Sequence, residues 1–445
     1  SSIFPVDYAE ILDSKPRSDI EGINKDTNSL IAIDMLDRNT TLNQNMVVIG
    51  TSGVGKTTYM IQKILRYAIQ DYQIYIIDPE NEYTRIVEAL GGSVLHLTSN
   101  AKYKINPLQI FSEEILSADE AVTNLDELVK DKIQRLKGFF EVLKDDMTQV
   151  EKAVMDNIVK NAYINSGILK YNRLNEIKNE QWPTLSNVYD ELTKLSEKDP
   201  EKFKTIKDFY FILGSYTHGS NTLFDGATNI NLDTKIVSFD LKPLQSEQEV
   251  QAGAYLNTFQ YLWDEITKDR KKRKKLFVDE FHFLTLHKSA STFFHQAYKR
   301  FRKYNAGAIA GTQQIQDVIE GQTDSGQNIG EAIIGNSFTK VFFGLDGKGV
   351  DDFTSKLRMN FSEKEKKLLE RRRQGDALII YGSQRAFMNV ELTEEELRLI
   401  DPEAYKEKYD RETAEQPSYQ KRVVLTPTEI EMLTTTEEKG GVDNG

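Results

Sequence analysis

The chain has 445 residues, 39% of them hydrophobic and 28% charged, a formal net charge of −12 and no cysteine. That length admits about two or three domains, the missing cysteines exclude disulfides and thiolate metal sites, and an acidic total lends no support to nucleic-acid binding, which wants a basic field. No apolar run reaches the ~18 residues of a membrane-spanning helix, no signal peptide is visible, and the five histidines form no H-x-x-x-H pair, so no zinc site is expected. The sequence starts Ser-Ser rather than with methionine, which reads as a fragment whose N-terminal part has been removed.

Strand and helix alternate from residue 23 to about 110. Residues 46–49 form an apolar strand, and 58–70 carry Met60, Ile64, Leu65 and Ala68 at helical spacing. Between them, Gly50-Thr51-Ser52-Gly53-Val54-Gly55-Lys56-Thr57 matches the phosphate-binding pattern G-x-x-x-x-G-K-[ST]. Glycines let successive backbone N–H groups converge on phosphate oxygens, and the following helix N-terminus adds its dipole. Residues 50–57, with Thr58, are therefore the nucleotide-binding set: Lys56 reaches the β- and γ-phosphates of ATP and the Thr57 hydroxyl binds Mg2+. The plain alternative is an ordinary glycine turn. Further strands are read at 73–77, ending at Asp78-Pro79, and at 93–97, and such alternation implies a parallel sheet.

From 111 to 232 strand signals vanish, and stretches such as 119–144 carry Leu, Ile and Phe at helical spacing, so an inserted all-helical subdomain is expected. Strands return at 235–239, 275–278, 306–310, 339–343 and 377–381. The expected organisation is a first core segment at 1–110, the insertion at 111–232, a second core segment at 233–395 and an acidic helical tail at 396–445, disordered over 437–445. No internal repeat is present.

Leu276-Phe277-Val278-Asp279-Glu280 is an apolar strand ending in two acids at the edge where a nucleotide hydrolase needs them. Asp279 would hold the metal and Glu280 polarise the attacking water; the alternative is an acidic pair that caps a helix. Ala308-Ile309-Ala310-Gly311-Thr312-Gln313-Gln314 ends another strand, with Gln313 placed to orient water and sense the γ-phosphate, Gln314 starting the next helix, and simple capping the alternative. Arg302 precedes Gln313 by eleven residues and so lies at the opposite end of that strand, about 17–20 Å away. From there it serves a neighbouring subunit's site, which implies a ring. Arg300 competes for that role, and Arg371, Arg372 and Arg373 are a second candidate cluster; each also reads as a surface charge. The run Arg270-Lys271-Lys272-Arg273-Lys274-Lys275 reads either as a solvated turn or as a contact for nucleic acid or acidic lipid.

These motifs, with Ile76-Ile77-Asp78-Pro79-Glu80-Asn81-Glu82-Tyr83, Ile105-Asn106-Pro107-Leu108, Ser238-Phe239-Asp240-Leu241 and Arg302-Lys303-Tyr304-Asn305, occur in an order that resembles the type IV secretion and conjugation ATPases of the VirB-four (TraC/TrbE) family, within the FtsK–HerA superfamily. The resemblance spans about residues 20–395. It implies an α/β fold with a RecA-like core and helical insertion, a hexameric ring at the cytoplasmic face of the inner membrane, and energising of secretion or pilus assembly. Coupling ATPases, assembly ATPases and inner-membrane components would be its partners. It also implies a further N-terminal domain, matches Lys56, Thr57, Asp279, Glu280 and Gln313 to the roles above, and matches Arg302 to the superfamily's trans-acting arginine. Glu80 and Glu82 match the motif without an assigned chemistry. The rival readings are a DNA-translocating ATPase of the same superfamily and a nucleotide-gated scaffold with little turnover.

Overall fold

Strands β3 (Met46–Ile49), β6 (Ile236–Asp240), β7 (Lys274–Val278) and β8 (Ala306–Thr312) are buried at every position, as near-continuous apolar runs must be when helices cover both faces of a sheet. The computed structural model describes residues 18–415 apart from 38, 100–101, 115–123, 314 and 358. Around those four strands it adds β1 (Asp19–Asn24), β2 (Leu30–Ile33), β4 (Gln73–Asp78), β5 (Ser93–His96), β9 (Thr339–Phe342), β10 (Asp376–Tyr381) and β11 (Gln384–Asn389). Among the described residues these make one 11-stranded sheet in the order β2-β1-β11-β10-β9-β3-β8-β7-β4-β6-β5. From β9 to β5 all neighbours are parallel, whereas β10, β11, β1 and β2 pair antiparallel.

The mostly parallel α/β sheet read from the sequence is therefore present, with an antiparallel flank that the sequence reading lacked. Parallel strands bring their carboxyl ends to one edge. There β3 runs into the glycine turn, β7 into Asp279-Glu280 and β8 into Thr312-Gln313. Because β8 pairs with β3 on one side and β7 on the other, Gln313 stands between the glycine turn and the acidic pair.

Between β5 and β6, which are hydrogen-bonded neighbours, every described element is helical: Leu125–Leu143, Gln149–Ser166, Leu185–Lys198, Pro200–Lys204 and Lys207–Thr217, with short 3-10 turns. Local chemistry sets their ends. Asn124 accepts from the Asp126 N–H, and Thr148 and Glu151 close a capping box. The first of these helices docks on the core, Arg135 reaching Asp264 at 2.6 Å. The insertion and sheet form one compact unit ending at Glu391. A second unit starts at Leu392; in it Thr393 caps the helix Glu394–Ile400, and the helix Pro402–Glu415 follows. Residues 437–445 lie outside the described ones.

Candidate functional site

The turn from β3 into helix α1 (Lys56–Ile69) is shaped by glycine. Gly55, at φ 105°, is the N-cap and offers no side-chain cap, so the first-turn N–H groups are left for an outside acceptor. A Cβ on Gly53, at φ 79°, would meet nothing within 4 Å, since that position faces open space. The space is a cavity of about 230 Å³ lined by the turn together with Glu82, Gln313 and Gln374. Thr51, Ser52, Gly53, Gly55, Lys56, Thr57 and Thr58 line it; Gly50 and Val54 do not. The Gly50 N–H points to the Thr312 carbonyl and Val54 is buried, its carbonyl accepting from Gly375 N at 3.0 Å.

Lys56 is 3% exposed and joins this turn to the acids: its Nζ lies 2.6 Å from Asp279 Oδ1 and 3.0 Å from Glu280 Oε1. Burial disfavours the ammonium, but the two carboxylates outweigh it and hold Lys56 above its usual range. Asp279 also accepts from Tyr83 Oη at 2.9 Å, and its carbonyl accepts from Tyr255 Oη. Glu280 sits in the left-handed region at φ 48°, ψ 50°, strain that a functional site holds in place. Its Oε2 takes Gln313 N at 3.1 Å, His282 Nδ1 at 3.1 Å and Thr312 Oγ1 at 3.3 Å. Burial opposes ionisation, yet His282, Lys56 and the Gln313 N–H bring Glu280 down to about 2, so it stays ionised.

Thr57 Oγ1 donates to Glu82 Oε2 at 2.7 Å. Asp78 accepts from the backbone N–H groups of Glu82 and Tyr83, each at 3.0 Å, and so shapes the 78–83 turn. Burial pushes its carboxyl up to about 7, with Asp279 and Asp240 adding to the shift and the two N–H groups opposing it. Asp279 and Glu280 are not in the cavity lining and meet it through the Lys56 ammonium. An ammonium, a hydroxyl and uncapped N–H groups around one cavity, with these carboxylates next to the ammonium, fit ATP phosphates and Mg2+: Lys56 and the turn would hold the phosphates, Thr57 and, once Lys56 turns to the phosphates, Asp279 the metal.

The arginines divide between the two edges. Arg302, exposed in the one-turn helix Phe301–Tyr304, precedes β8 and lies at the amino edge, away from this cavity. Arg300 leans on the Tyr304 hydroxyl at 3.3 Å. Arg371, Arg372 and Arg373 precede β10, and because β10 is antiparallel to β9 they lie at the carboxyl edge, beside the chain's own phosphate turn. Gly344, whose carbonyl accepts from Thr51 N at 3.1 Å, packs directly on the Arg372 backbone. The basic run is not a continuous charged surface. Arg270 pairs with Glu114, Arg273 donates to the Gln70 carbonyl at 2.7 Å, and Lys274 and Lys275 are buried in β7.

Sequence reasoning missed His282, Gln374 and the Glu82–Thr57 contact, and it quoted Tyr83 within the 76–83 stretch without giving it a role. His282 carried a local signal of its own, the Asp-Glu-x-His spacing at 279–282. Gln314 lies outside the described residues.

The TraG P-loop domain family matches residues 24–423. The structure of VirB4 of Thermoanaerobacter pseudethanolicus is similar with a TM-score of 0.77 and 27% identity, over 86% of this chain and 98% of that one. The bacterial conjugative coupling protein TrwB shares the fold at 13% identity, with a TM-score of 0.56 over 86% of this chain and 90% of that one. A TrwB structure in complex with ADP and Mg2+ does so at 14% identity and a TM-score of 0.53, over 78% and 85%. An uncharacterized protein of Bacillus anthracis is 21% identical over 76% of this chain, which spans 58% of that relative's length. Among the described residues no helix is long and apolar enough to cross a membrane.

Proposed function

The chain belongs to the TraG P-loop domain family, and on that premise we propose that it is a magnesium-dependent ATPase, the motor subunit that energises a type IV secretion or conjugation machine. The observation that carries this reading is the Lys56 ammonium held between Asp279 and Glu280 at the wall of the glycine-turn cavity. The phosphates of ATP draw Lys56 away from the two carboxylates, and Glu280 is then released to take a proton from the attacking water. Gln313 supports the same step, because its backbone N–H holds Glu280 and the residue lines the cavity. Mg2+, when bound, would neutralise charge on the phosphates.

Arg302 acts in a neighbouring subunit's site, in a ring that is a hexamer by analogy with the resembled ATPases. The support is its place at the sheet edge opposite its own cavity. The partners are the other secretion proteins at the cytoplasmic face of the inner membrane. Burial of Lys274 and Lys275 cuts the exposed basic run to its first residues, with Lys271 and Lys272 exposed, and so weakens a DNA-translocating reading. Turnover measured against protein concentration tests the proposal. Wild-type turnover should rise steeply with concentration, Glu280→Gln should lower it about 100-fold or more, and mixing Glu280→Gln with Arg302→Ala should restore part of it. Unchanged turnover in Glu280→Gln would refute the mechanism, and turnover insensitive to concentration and to Arg302 would refute the shared site.

A further inference from the structure

The turn at 78–83 touches both side chains that would hold the metal. Glu82 accepts the Thr57 hydroxyl proton at 2.7 Å, and Tyr83 donates to Asp279 at 2.9 Å. The turn is itself fixed, since the two Asp78 carboxylate oxygens hold the Glu82 and Tyr83 N–H groups. A threonine hydroxyl has one proton and two lone pairs, and a cation can use only a lone pair. When Glu82 takes the proton, the lone pairs are left for the cavity that Thr57 and Glu82 both line.

We propose that Glu82 is the positioning residue of the magnesium seat, turning the Thr57 hydroxyl so that its lone pairs are free for the cation and adding a negative charge at the seat. The inference rests on the nucleotide-binding reading above. It gives the Glu82 of the Asp-Pro-Glu-Asn-Glu-Tyr stretch a chemistry that the sequence left unassigned. Glu80 differs: it meets Gln245 at 3.5 Å, away from the cavity lining. Partners behind a metal ligand typically account for about 10–100-fold in metal affinity.

The test is a binding equilibrium without turnover: a fluorescent ADP analogue is bound to the whole chain while Mg2+ is titrated, and again in excess chelator. Glu82→Ala should raise the Mg2+ concentration needed for half of the metal-dependent tightening by about 10–100-fold. Glu82→Gln, whose amide oxygen still accepts the Thr57 proton, should lie between Glu82→Ala and wild type. Neither should weaken binding of the analogue in chelator, since the carboxylate that is lost repels phosphates when no metal is present. Mg2+ dependence unchanged in Glu82→Ala, or affinity lost equally with and without Mg2+, would overturn the proposal, the second outcome marking a merely structural residue. Thr57→Val separates the two readings. If it leaves Mg2+ dependence intact, the metal seat itself is misplaced; if it abolishes that dependence while Glu82→Ala does not, only the role of Glu82 falls.

Discussion

Helix α1 buries two lysines about two turns apart, and each lies between two carboxylates. Lys56 meets Asp279 at 2.6 Å and Glu280 at 3.0 Å; Lys63 meets Asp19 at 3.1 Å and Glu21 at 2.8 Å. In both, neighbouring carboxylates outweigh burial and hold the ammonium above its usual range. The surroundings differ. Lys56 fronts a cavity bordered by uncapped N–H groups, so it can exchange its carboxylates for another anion. Lys63 is 0% exposed; Tyr59 donates to its Glu21, Gln70 donates to its Asp19, and the Tyr67 ring lies 5.0 Å away. A buried triad of charges is thus a weak sign of function by itself. What marks a site is a second anion's route to the ammonium.

The largest expected effect is on turnover. Lys56→Ala should abolish turnover and weaken binding of an ATP analogue by 100-fold or more, about 3 kcal/mol, the range of a lost charge-assisted contact. The same substitution should cost little folding stability, because it opens the cavity onto Asp279 and Glu280 and lets water reach them. Analogue binding and urea unfolding of the one variant read both halves. Undiminished binding would sink the phosphate-turn assignment.

Lys63→Ala should do the reverse. With no opening for water, Asp19 and Glu21 are left buried without their cation, a loss of about 3–5 kcal/mol in urea unfolding. Replacing all three groups at once, Lys63→Met with Asp19→Asn and Glu21→Gln, should recover most of it, since no charge then lies buried. If Lys63→Ala costs no more than Lys56→Ala, the contrast between an open and a closed triad is wrong.

How much of this was legible follows from where each signal sits. The glycine turn, Asp279-Glu280 and Gln313 are local patterns at the ends of apolar strands, and the structure has those strand ends at one edge of the sheet. The closed triad did not, because β1 reads Asp-Ile-Glu-Gly-Ile-Asn, whose acids look like loop residues until Lys63 arrives from another element. The direction of β10 was equally hidden: nothing in an apolar hexamer says parallel or antiparallel, yet direction decides which edge receives Arg371, Arg372 and Arg373. Thr57 and Glu82 lie 25 residues apart in separate elements, so their contact belongs to the packing alone.

The smallest effect concerns Lys275, which the sequence placed in a basic run and the structure places at 0% exposure in β7. Its ammonium lies 4.7 Å from the Tyr67 ring and 5.4 Å from that of Tyr72, and donates to Gln44 Oε1 at 3.2 Å. Burial, reinforced by Lys63, pushes it down to about 7, with Asp19 and Glu21 opposing. An unfolded lysine titrates near 10.4, so between pH 7 and about 10 the unfolded chain holds a proton that the folded chain has released. Stability from this group therefore rises with pH across that window and is flat below it. Asp78, raised to about 7, has the opposite sign: it loses stability as pH rises toward 7 and adds no slope above it. Lys132 and Lys274, which burial lowers to about 8, give wild type and variant a common rising slope, so from pH 7 to 9 Lys275→Met, which keeps the stem packed, should gain about 1–2 kcal/mol less than wild type in urea unfolding. Equal slopes would mean that Lys275 stays charged in the fold. Asp19 and Glu21 would then be neutralising two ammoniums, and the closed triad would be a larger network in which deleting Lys63 costs less than it would alone.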